Sequence, residues 1–334
     1  MTSKTRILRG GGRTHGCALL PLVALLATAL PLAAAAQQEA ALQAVTVTDT
    51  HDAPTGAADL PRQQIQSARP ATSDSASLLR TLPGVSLTGT GGVSSLPSVH
   101  GLSDDRLRIQ VDGMDLISAC GNHMNPPLSY IDPTRIGSIR LFAGITPVSV
   151  GGDSIGATIQ VESAPPAFTL PGEAPRVSGE AGTFWRSNGD AIGAHLSAAY
   201  AREQFSLRYD GSTAQADNYK AARAFKAAGP AASDKPTHWL GGDEVGSSSY
   251  KTRNHALSMA WRGSSDLVEL RLGLQDIPYQ NYPNQRMDMT RNDSHQFNLR
   301  YQGQYGWGRL HARAYHETTR HGMNFGADKQ FWYG

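Results

Sequence analysis

Three short segments of the sequence carry sulfur side chains at spacings that suit metal binding. They are Cys120-x-x-x-Met124, Met287-x-Met289 and His321-x-Met323. Thiolate and thioether sulfurs are soft donors, and soft donors select Cu(I) over Mg²⁺, Ca²⁺ or Mn²⁺. Zinc would take the cysteine and a histidine but would gain little from methionine. The donor types therefore predict a copper site, with His123 and His321 as additional candidate ligands.

The spacing within each segment indicates how it would present its sulfurs. In the first segment the sulfurs are four residues apart, so a helical turn ended by Pro126-Pro127 would bring them together. In the other two segments the paired residues are two apart, so on a strand they share one face. The alternative is that the cysteine is a small buried hydrophobe and the methionines fill an apolar surface. Spacing alone leaves both interpretations open.

The N-terminus has the three-part layout of a secretory signal peptide. Four basic residues and no acidic ones precede or accompany the apolar run Cys17–Leu32, which ends in four alanines. We expect cleavage after Ala36, so that residues 1–36 are the signal peptide. Losing four positive charges takes the formal net charge from +2 to −2, so nucleic acid is not an expected partner. Cys120 is then left alone in an oxidising compartment, which excludes an intramolecular disulfide with Cys17.

The rest of the sequence divides into an arm, a compact domain and a series of strands. Residues 37–70 are rich in Gln, Ala, Asp and Pro and predict a flexible arm. Residues 71–168 predict a compact α+β domain, with a short helix near 75–82 and strands separated by turns such as Asp112-Gly113. From 175 to 334, long segments alternate between apolar and polar residues.

These alternating segments predict an antiparallel transmembrane β-barrel. In Leu267–Gln275 the side chains of Val268, Leu270 and Leu272 fall on one face and those of polar residues on the other. Aromatic residues near segment ends and the long polar connection at 214–248 are typical of such barrels, although a soluble sandwich would show the same period. Since the sequence has no second apolar helix, contact with outer-membrane lipid is expected to come from strands.

Four stretches, in this order, resemble the plug domain of TonB-dependent outer-membrane receptors: Ser98–Arg106, Ile109–Gly113, Ile136–Leu141 and Gly152–Val161. His100 stands where that family usually has arginine, and Thr158 where glycine is common. The resemblance implies an α+β plug inside a β-barrel of the bacterial outer membrane. An enzyme is not expected, because the sequence has no His-Glu-x-x-His and no phosphate-binding loop, and the glycine-rich 151–156 stretch lies in turns.

The stretch Ala44–Thr48 is similar to the TonB box of the same family. The resemblance implies pairing with the energy-transducing protein TonB through four residues, Val45, Thr46, Val47 and Thr48. Such an island can add as a strand to the sheet edge of a partner. The alternating segments before Gly334 are far fewer than the about 22 strands of plugged transporters. The chain is therefore expected to hold the N-terminal part of the barrel, as a fragment or a truncated gene product.

Within that family, the sulfur segments resemble those of the copper receptors. The resemblance implies that one copper ion binds between plug and barrel to Cys120, Met124, Met323 and one of Met287 or Met289. The implied function is binding and import of copper, as Cu(I). Two alternatives remain open. One is a receptor for an organic metal chelate such as a siderophore, bound by aromatic and arginine-rich loops, and the other is a copper-binding protein that does not transport.

Overall fold

The computed structural model describes residues 57–89, 91–151, 154–232 and 235–329. The predicted signal peptide and TonB box lie outside these residues. Within them, a mixed α+β domain is followed by a large antiparallel sheet. None of the helices in the described part of the chain has the length and apolar character needed to span a membrane.

The first domain, the plug, contains eight strands and several short helices. The strands are β1 (Ala57–Leu60), β2 (Val85–Thr88), β3 (Leu96–Val99), β4 (Leu102–Ser103), β5 (Leu107–Val111), β6 (Met114–Asp115), β7 (Ile136–Ala143) and β8 (Ala157–Ser163). Helix α1 spans Arg62–Ala68, and 3₁₀ helices span Arg69–Ala71, Ser75–Thr81, Asp104–Arg106, Pro127–Tyr130, Pro133–Arg135 and Val148–Val150. One sheet has the order β1-β7-β8-β5-β6, with β5 and β8 parallel, and a second has the order β2-β3-β4.

A continuous apolar core holds the plug together. Ile139 and Leu141 of β7 and Ile159 and Val161 of β8 are buried in it, as alternate residues of each strand. The helix predicted near 75–82 forms as the 3₁₀ helix Ser75–Thr81. The compact α+β domain predicted from the sequence is therefore present.

The structure differs from the predicted arm at residues 57–70. Strand β1 pairs antiparallel with β7, and α1 follows it directly. Leu60 and Ile65 each point into the plug core and are buried there. Strand β1 and helix α1 each have a single core residue among more polar neighbours, so their composition predicts a flexible arm. Their contacts with distant residues instead fix them to the plug.

The second part of the chain is a seven-stranded antiparallel sheet with a small hairpin. The strands are β9 (Arg176–Arg186), β10 (Ala191–Ala201), β11 (Phe205–Ala216), β12 (Gly229–Ala232), β13 (Lys235–Leu240), β14 (Tyr250–Arg262), β15 (Asp266–Gln280), β16 (Asp288–Tyr305) and β17 (Gly308–Asn324). The sheet order is β17-β16-β15-β14-β11-β10-β9, and β12 and β13 form the hairpin within the long connection from β11 to β14.

The sheet buries its polar face and exposes its apolar face. In β15, Glu269, Arg271 and Gln275 are buried towards the plug, whereas Leu272 and Leu274 are 36% and 52% exposed. A soluble sandwich would bury the leucine face, and a lipid-facing barrel wall shows the opposite arrangement. The predicted fold class, an α+β plug followed by transmembrane β-barrel strands, is therefore confirmed.

Candidate metal centre

Four sulfur side chains from three segments gather between the plug and the sheet. Met124 and Met289 are 3% and 0% exposed within one apolar cluster, and Cys120 and Met323 pack against the same cluster. Tyr282, from the connection between β15 and β16, is also a buried member. We call these five residues the sulfur cluster. The plug and the barrel each contribute two of its sulfurs.

An irregular turn on the loop after β6 presents the two plug sulfurs. The His123 N–H donates to the Cys120 carbonyl at 2.9 Å, and His123 has a left-handed φ of 52°. Pro126 and Pro127 follow, and Pro127 begins the next 3₁₀ helix. The helical turn suggested by the spacing does not form, because the left-handed residue interrupts it and the prolines lack N–H donors.

The two barrel sulfurs lie opposite each other across a strand pair. Met289 of β16 and Met323 of β17 are direct partners in the register. The Tyr282 hydroxyl donates to Met289 Sδ at 3.7 Å. Burial raises the pKa of Tyr282, and the nearby Cys120 raises it further. The phenol therefore keeps its proton and remains a donor to the thioether.

The structure distinguishes the two alternative methionines of the Met287-x-Met289 segment. Among the described residues, the cluster includes Met289 and not Met287. Strand β16 begins at Asp288, so Met287 precedes it and the predicted shared face does not form. The Met287 carbonyl instead accepts from Lys329 Nζ at 3.4 Å, while the same ammonium pairs with Asp288 at 2.6 Å.

Neither candidate histidine belongs to the sulfur cluster within the described residues. His123 Nε2 lies 3.8 Å from an Asp105 carboxylate oxygen. His321 Nδ1 lies 3.1 Å from Asn292 Oδ1, and its buried Nε2 has no hydrogen-bond partner in the described structure. Because the amide oxygen is an acceptor, the Nδ1 proton points to it and Nε2 carries the free lone pair.

The sulfur cluster offers one thiol and three thioethers as potential metal donors. Within the described residues, no three His, Cys, Asp or Glu side chains are grouped as a metal site. Ca²⁺ and Mg²⁺ require several oxygen ligands. Three neutral thioethers and one thiolate suit a soft monovalent ion such as Cu(I), whose charge the thiolate balances.

Two cavities lie beside the site. One, of about 500 Å³, shares Ala216 and Tyr250 with the apolar cluster around the sulfurs. The other, of about 410 Å³, is lined by residues of the long connections, including Phe225, Lys226 and Arg286. Met124 and Met289 are therefore buried, Cys120 and Met323 are partly buried, and open space borders the surrounding apolar cluster.

An ionic contact joins the plug to the barrel at a second place. Asp112, whose side chain is 1% exposed, accepts from Arg135 of the plug at 2.7 Å and pairs with Arg271 of β15. The Ser163 N–H also donates to this carboxylate, at 2.8 Å. Burial raises the pKa of Asp112, but the two arginines and Ser163 outweigh it and hold the pKa below its ordinary value. The carboxylate therefore stays charged.

Sequence reasoning missed Asp112 and Tyr282 as members of these contacts. The sequence indicates Asp112 only as part of a turn, because Arg271, its barrel partner, is 159 residues away. Tyr282 lies in a loop, where no alternation of apolar and polar residues predicts the direction of its side chain. A carboxylate directly after the buried strand β5 was the one local signal available for Asp112.

The fold and site define a class of protein. Residues 49–158 match the family model described as TonB-dependent Receptor Plug Domain. The chain therefore contains a TonB-dependent receptor plug domain, followed by strands of an outer-membrane β-barrel. This confirms the predicted location in the bacterial outer membrane. It also confirms that the expected class is a receptor rather than an enzyme.

Several solved structures share this fold. The copper transporter OprC is 24% identical with a TM-score of 0.63, over 80% of this chain and 38% of that one. The siderophore receptor PirA from Pseudomonas aeruginosa is 17% identical with a TM-score of 0.54, over 82% and 42%. The Serratia marcescens hemophore receptor HasR, solved with its hemophore HasA and heme, is 14% identical with a TM-score of 0.63, over 80% and 38%. The chain thus spans about two fifths of these proteins' length. A comparison with curated proteins gave no match.

Proposed function

We propose that this chain is the N-terminal part of a TonB-dependent receptor that binds a copper ion and imports it across the outer membrane. The observation that carries the proposal is the sulfur cluster, in which the buried Met124 and Met289 pack with the partly buried Cys120 and Met323. Such a set of donors favours Cu(I). The structural likeness to the copper transporter OprC supports the same substrate class.

The main competing explanation is that these sulfurs only fill apolar space. The sequence has seven methionines, and three of them lie in the same cluster as Cys120, the one cysteine outside the predicted signal peptide. Leu and Ile fill an apolar site with fewer rotatable bonds and better-defined rotamers. Metal binding therefore accounts for this choice of residues more directly than packing does.

The placement of the sulfurs suggests how bound copper would be released. Cys120 and Met124 belong to the plug, and Met289 and Met323 belong to the barrel. Force applied by TonB to residues 45–48 would move the plug relative to the barrel wall. That movement separates the two pairs, so the ion loses half of its ligands and leaves the site.

A second candidate function is import of an organic metal chelate such as a siderophore. It is favoured by the cavity of about 410 Å³, whose lining includes an aromatic and two basic residues, Phe225, Lys226 and Arg286. Structural likeness to the siderophore receptor PirA points the same way. In that case the sulfur residues would be irrelevant to uptake.

The copper content of the purified full-length receptor tests the proposal. We expect one equivalent in the wild type after exposure to copper, and loss of that equivalent in Cys120→Ala and in Met124→Ala. Met259→Leu, on strand β14, is the matched control and should keep the metal. Unchanged copper in the two cluster variants would reject the copper site and favour the chelate receptor.

Uptake separates a transporter from a protein that only stores copper. Deleting residues 44–48 should abolish copper uptake by cells while the purified receptor still binds the metal. Uptake that persists without this segment would contradict the TonB-dependent mechanism.

A further inference from the structure

The Asn125 side chain is completely buried where the plug loop meets the barrel. It directly follows Met124, and its amide touches both domains. We infer that Asn125 is a positioning residue of the metal site, which holds the Cys120 backbone in register with the barrel strands that carry the other sulfurs. This inference rests on the copper binding proposed above.

On the plug side, the Asn125 carbonyl oxygen fixes the start of the sulfur loop. Asn125 Oδ1 accepts from the Cys120 N–H at 3.1 Å, and it lies 3.1 Å from the Ser118 hydroxyl. Asn125 Nδ2 donates to the Tyr130 hydroxyl at 2.8 Å, and that hydroxyl also accepts from the Ala119 N–H. The backbone N–H groups of Ala119 and Cys120 are thus held by the phenol and the amide, and the Cys120 N–H also donates to the Ser118 hydroxyl at 3.3 Å.

On the barrel side, the same amide group reaches β16. Asn125 Nδ2 donates to Asn292 Oδ1 at 3.1 Å, and Asn292 is three residues beyond Met289. Asn292 Oδ1 also lies 3.1 Å from His321 Nδ1, two residues before Met323. One hydrogen bond across the interface therefore links the loop of the plug sulfurs to both strands of the barrel sulfurs.

Only an amide can make this set of contacts. A side-chain amide has two donor hydrogens and an acceptor oxygen with two lone pairs, and Asn125 uses both kinds. A carboxylate has no donor hydrogens. Asp at this position would therefore place one of its own oxygens beside Asn292 Oδ1, and two acceptors without a hydrogen between them repel. Leucine would keep the approximate volume but remove the Asn125 partner of the part-buried Cys120 N–H and of the buried Asn292 Oδ1. The Cys120 N–H would then keep only the Ser118 hydroxyl, at 3.3 Å.

The consequence is a specific effect on metal affinity. Cys120 is the one sulfur residue of the cluster that is charged when it binds a metal. The orientation of its thiolate therefore determines how well the positive charge of Cu(I) is neutralised. Losing the Asn125 oxygen removes the shorter of the two hydrogen bonds of the Cys120 N–H, which loosens the turn and lets the thiolate move away from Met289 and Met323. We expect Asn125→Leu and Asn125→Asp to weaken Cu(I) binding by about tenfold or more.

A matched control lies on the same barrel strand. Asn298 of β16 also donates a buried hydrogen bond to the plug, to the Asp112 carbonyl at 2.8 Å. It is far along the strand from Met289. Asn298→Leu therefore removes a plug–barrel amide bond without touching the sulfur loop, and Cu(I) affinity should stay within about twofold of the wild type.

Two measurements on the full-length receptor decide the matter. The first is Cu(I) affinity by competition with a chelator of known affinity. The second, made without metal, is the alkylation rate of Cys120, followed on its peptide by mass spectrometry. Selective weakening in the Asn125 variants, with faster Cys120 alkylation, supports the inference. Wild-type affinity in those variants, or equal weakening in Asn298→Leu, overturns it.

The outcomes also separate this inference from the proposed function. If wild type and Cys120→Ala bind Cu(I) equally, the copper proposal fails, and the alkylation rates still report whether Asn125 positions the cysteine. If Asn125→Leu does not assemble in the membrane, Asn292→Ala removes the same bond from the barrel side. Loss of Cu(I) affinity in Asn292→Ala supports the inference, and unchanged affinity overturns it.

Discussion

At the scale of single residues, two methionines two positions apart have different surroundings. Met289 is completely buried, lies opposite Met323 and receives a hydrogen bond from Tyr282. Met287 precedes the strand, and its backbone is held by Lys329. The difference arises because β16 begins at Asp288, whose carboxylate pairs with the same buried ammonium. The proposed fourth ligand is therefore Met289.

This matched pair gives a direct prediction. We expect Met289→Leu to weaken Cu(I) binding by at least about tenfold, which corresponds to about 1.4 kcal/mol. Met287→Leu should change it by less than about twofold. Isothermal titration calorimetry or chelator competition on the full-length receptor would measure the Cu(I) affinity. A larger loss of affinity in Met287→Leu than in Met289→Leu would contradict the assignment and favour Met287 as the ligand.

At the scale of elements, the site depends on how closely one plug segment approaches the barrel. A Cβ atom added to Gly92 would overlap the ring of Tyr250, and one added to Gly91 would overlap Gln280. Tyr250 is part of the apolar cluster that surrounds the sulfurs. The glycines are therefore required for contact between the segment and the wall, rather than for an unusual backbone conformation.

Substitutions of neighbouring glycines test that contact. Gly92→Ala should displace Tyr250 and destabilise the plug by about 1–3 kcal/mol, the usual cost of overpacking. Gly89→Ala is the control, because no described atom lies within 4 Å of its added Cβ. Hydrogen exchange of plug amides should be faster only in Gly92→Ala. Equal exchange in the two variants would show that the close approach does not matter for stability.

Elements that depend on local pattern could be predicted from the sequence. The alternation in β15 and the order of the plug motifs identified the barrel wall and the plug, because both are local properties. The sulfur types identified the candidate ligands for the same reason. The sequence could not predict three features: the choice between Met287 and Met289, the burial of Leu60 and Ile65 in the plug core, and the role of Asn125. Each depends on contacts with distant residues. The signal peptide and the TonB box remain predictions.

At the scale of the whole molecule, several contacts join the plug to the barrel. Two of them are the sulfur cluster and the buried ionic contact between Asp112 and Arg271. They lie on different parts of the interface. In the proposed mechanism, the interface that carries the sulfurs is held in the resting state by charges that lie outside the sulfur cluster.

Removal of the Asp112 charge should loosen the plug. Asp112→Asn leaves the buried Arg135 without its carboxylate, which costs about 3–5 kcal/mol, whereas Arg271 keeps Glu269 at 3.5 Å. Asp115→Asn, which breaks a partly exposed pair with Arg108, should cost less than about 1 kcal/mol. Hydrogen exchange of plug amides in the full-length receptor measures both. Equal protection in the two variants would contradict the assigned role of Asp112.

The pH dependence of this contact follows from the lowered pKa of Asp112. A carboxyl with a depressed folded-state pKa stabilises the fold above its ordinary pKa of about 4 and loses that contribution as the pH falls through the depressed value. Plug protection in the wild type should therefore persist to below about pH 4, whereas Asp112→Asn should be loose already at neutral pH. Loosening of the wild type near pH 6 would be inconsistent with this.

The central claim is that one copper ion is held by four sulfurs contributed equally by plug and barrel. X-ray absorption spectroscopy of the full-length receptor loaded with one equivalent of Cu(I) tests it most directly. We expect a first shell of sulfur, with fewer sulfur neighbours in Met289→Leu and no change in Met287→Leu. A first shell dominated by nitrogen or oxygen would contradict the sulfur site.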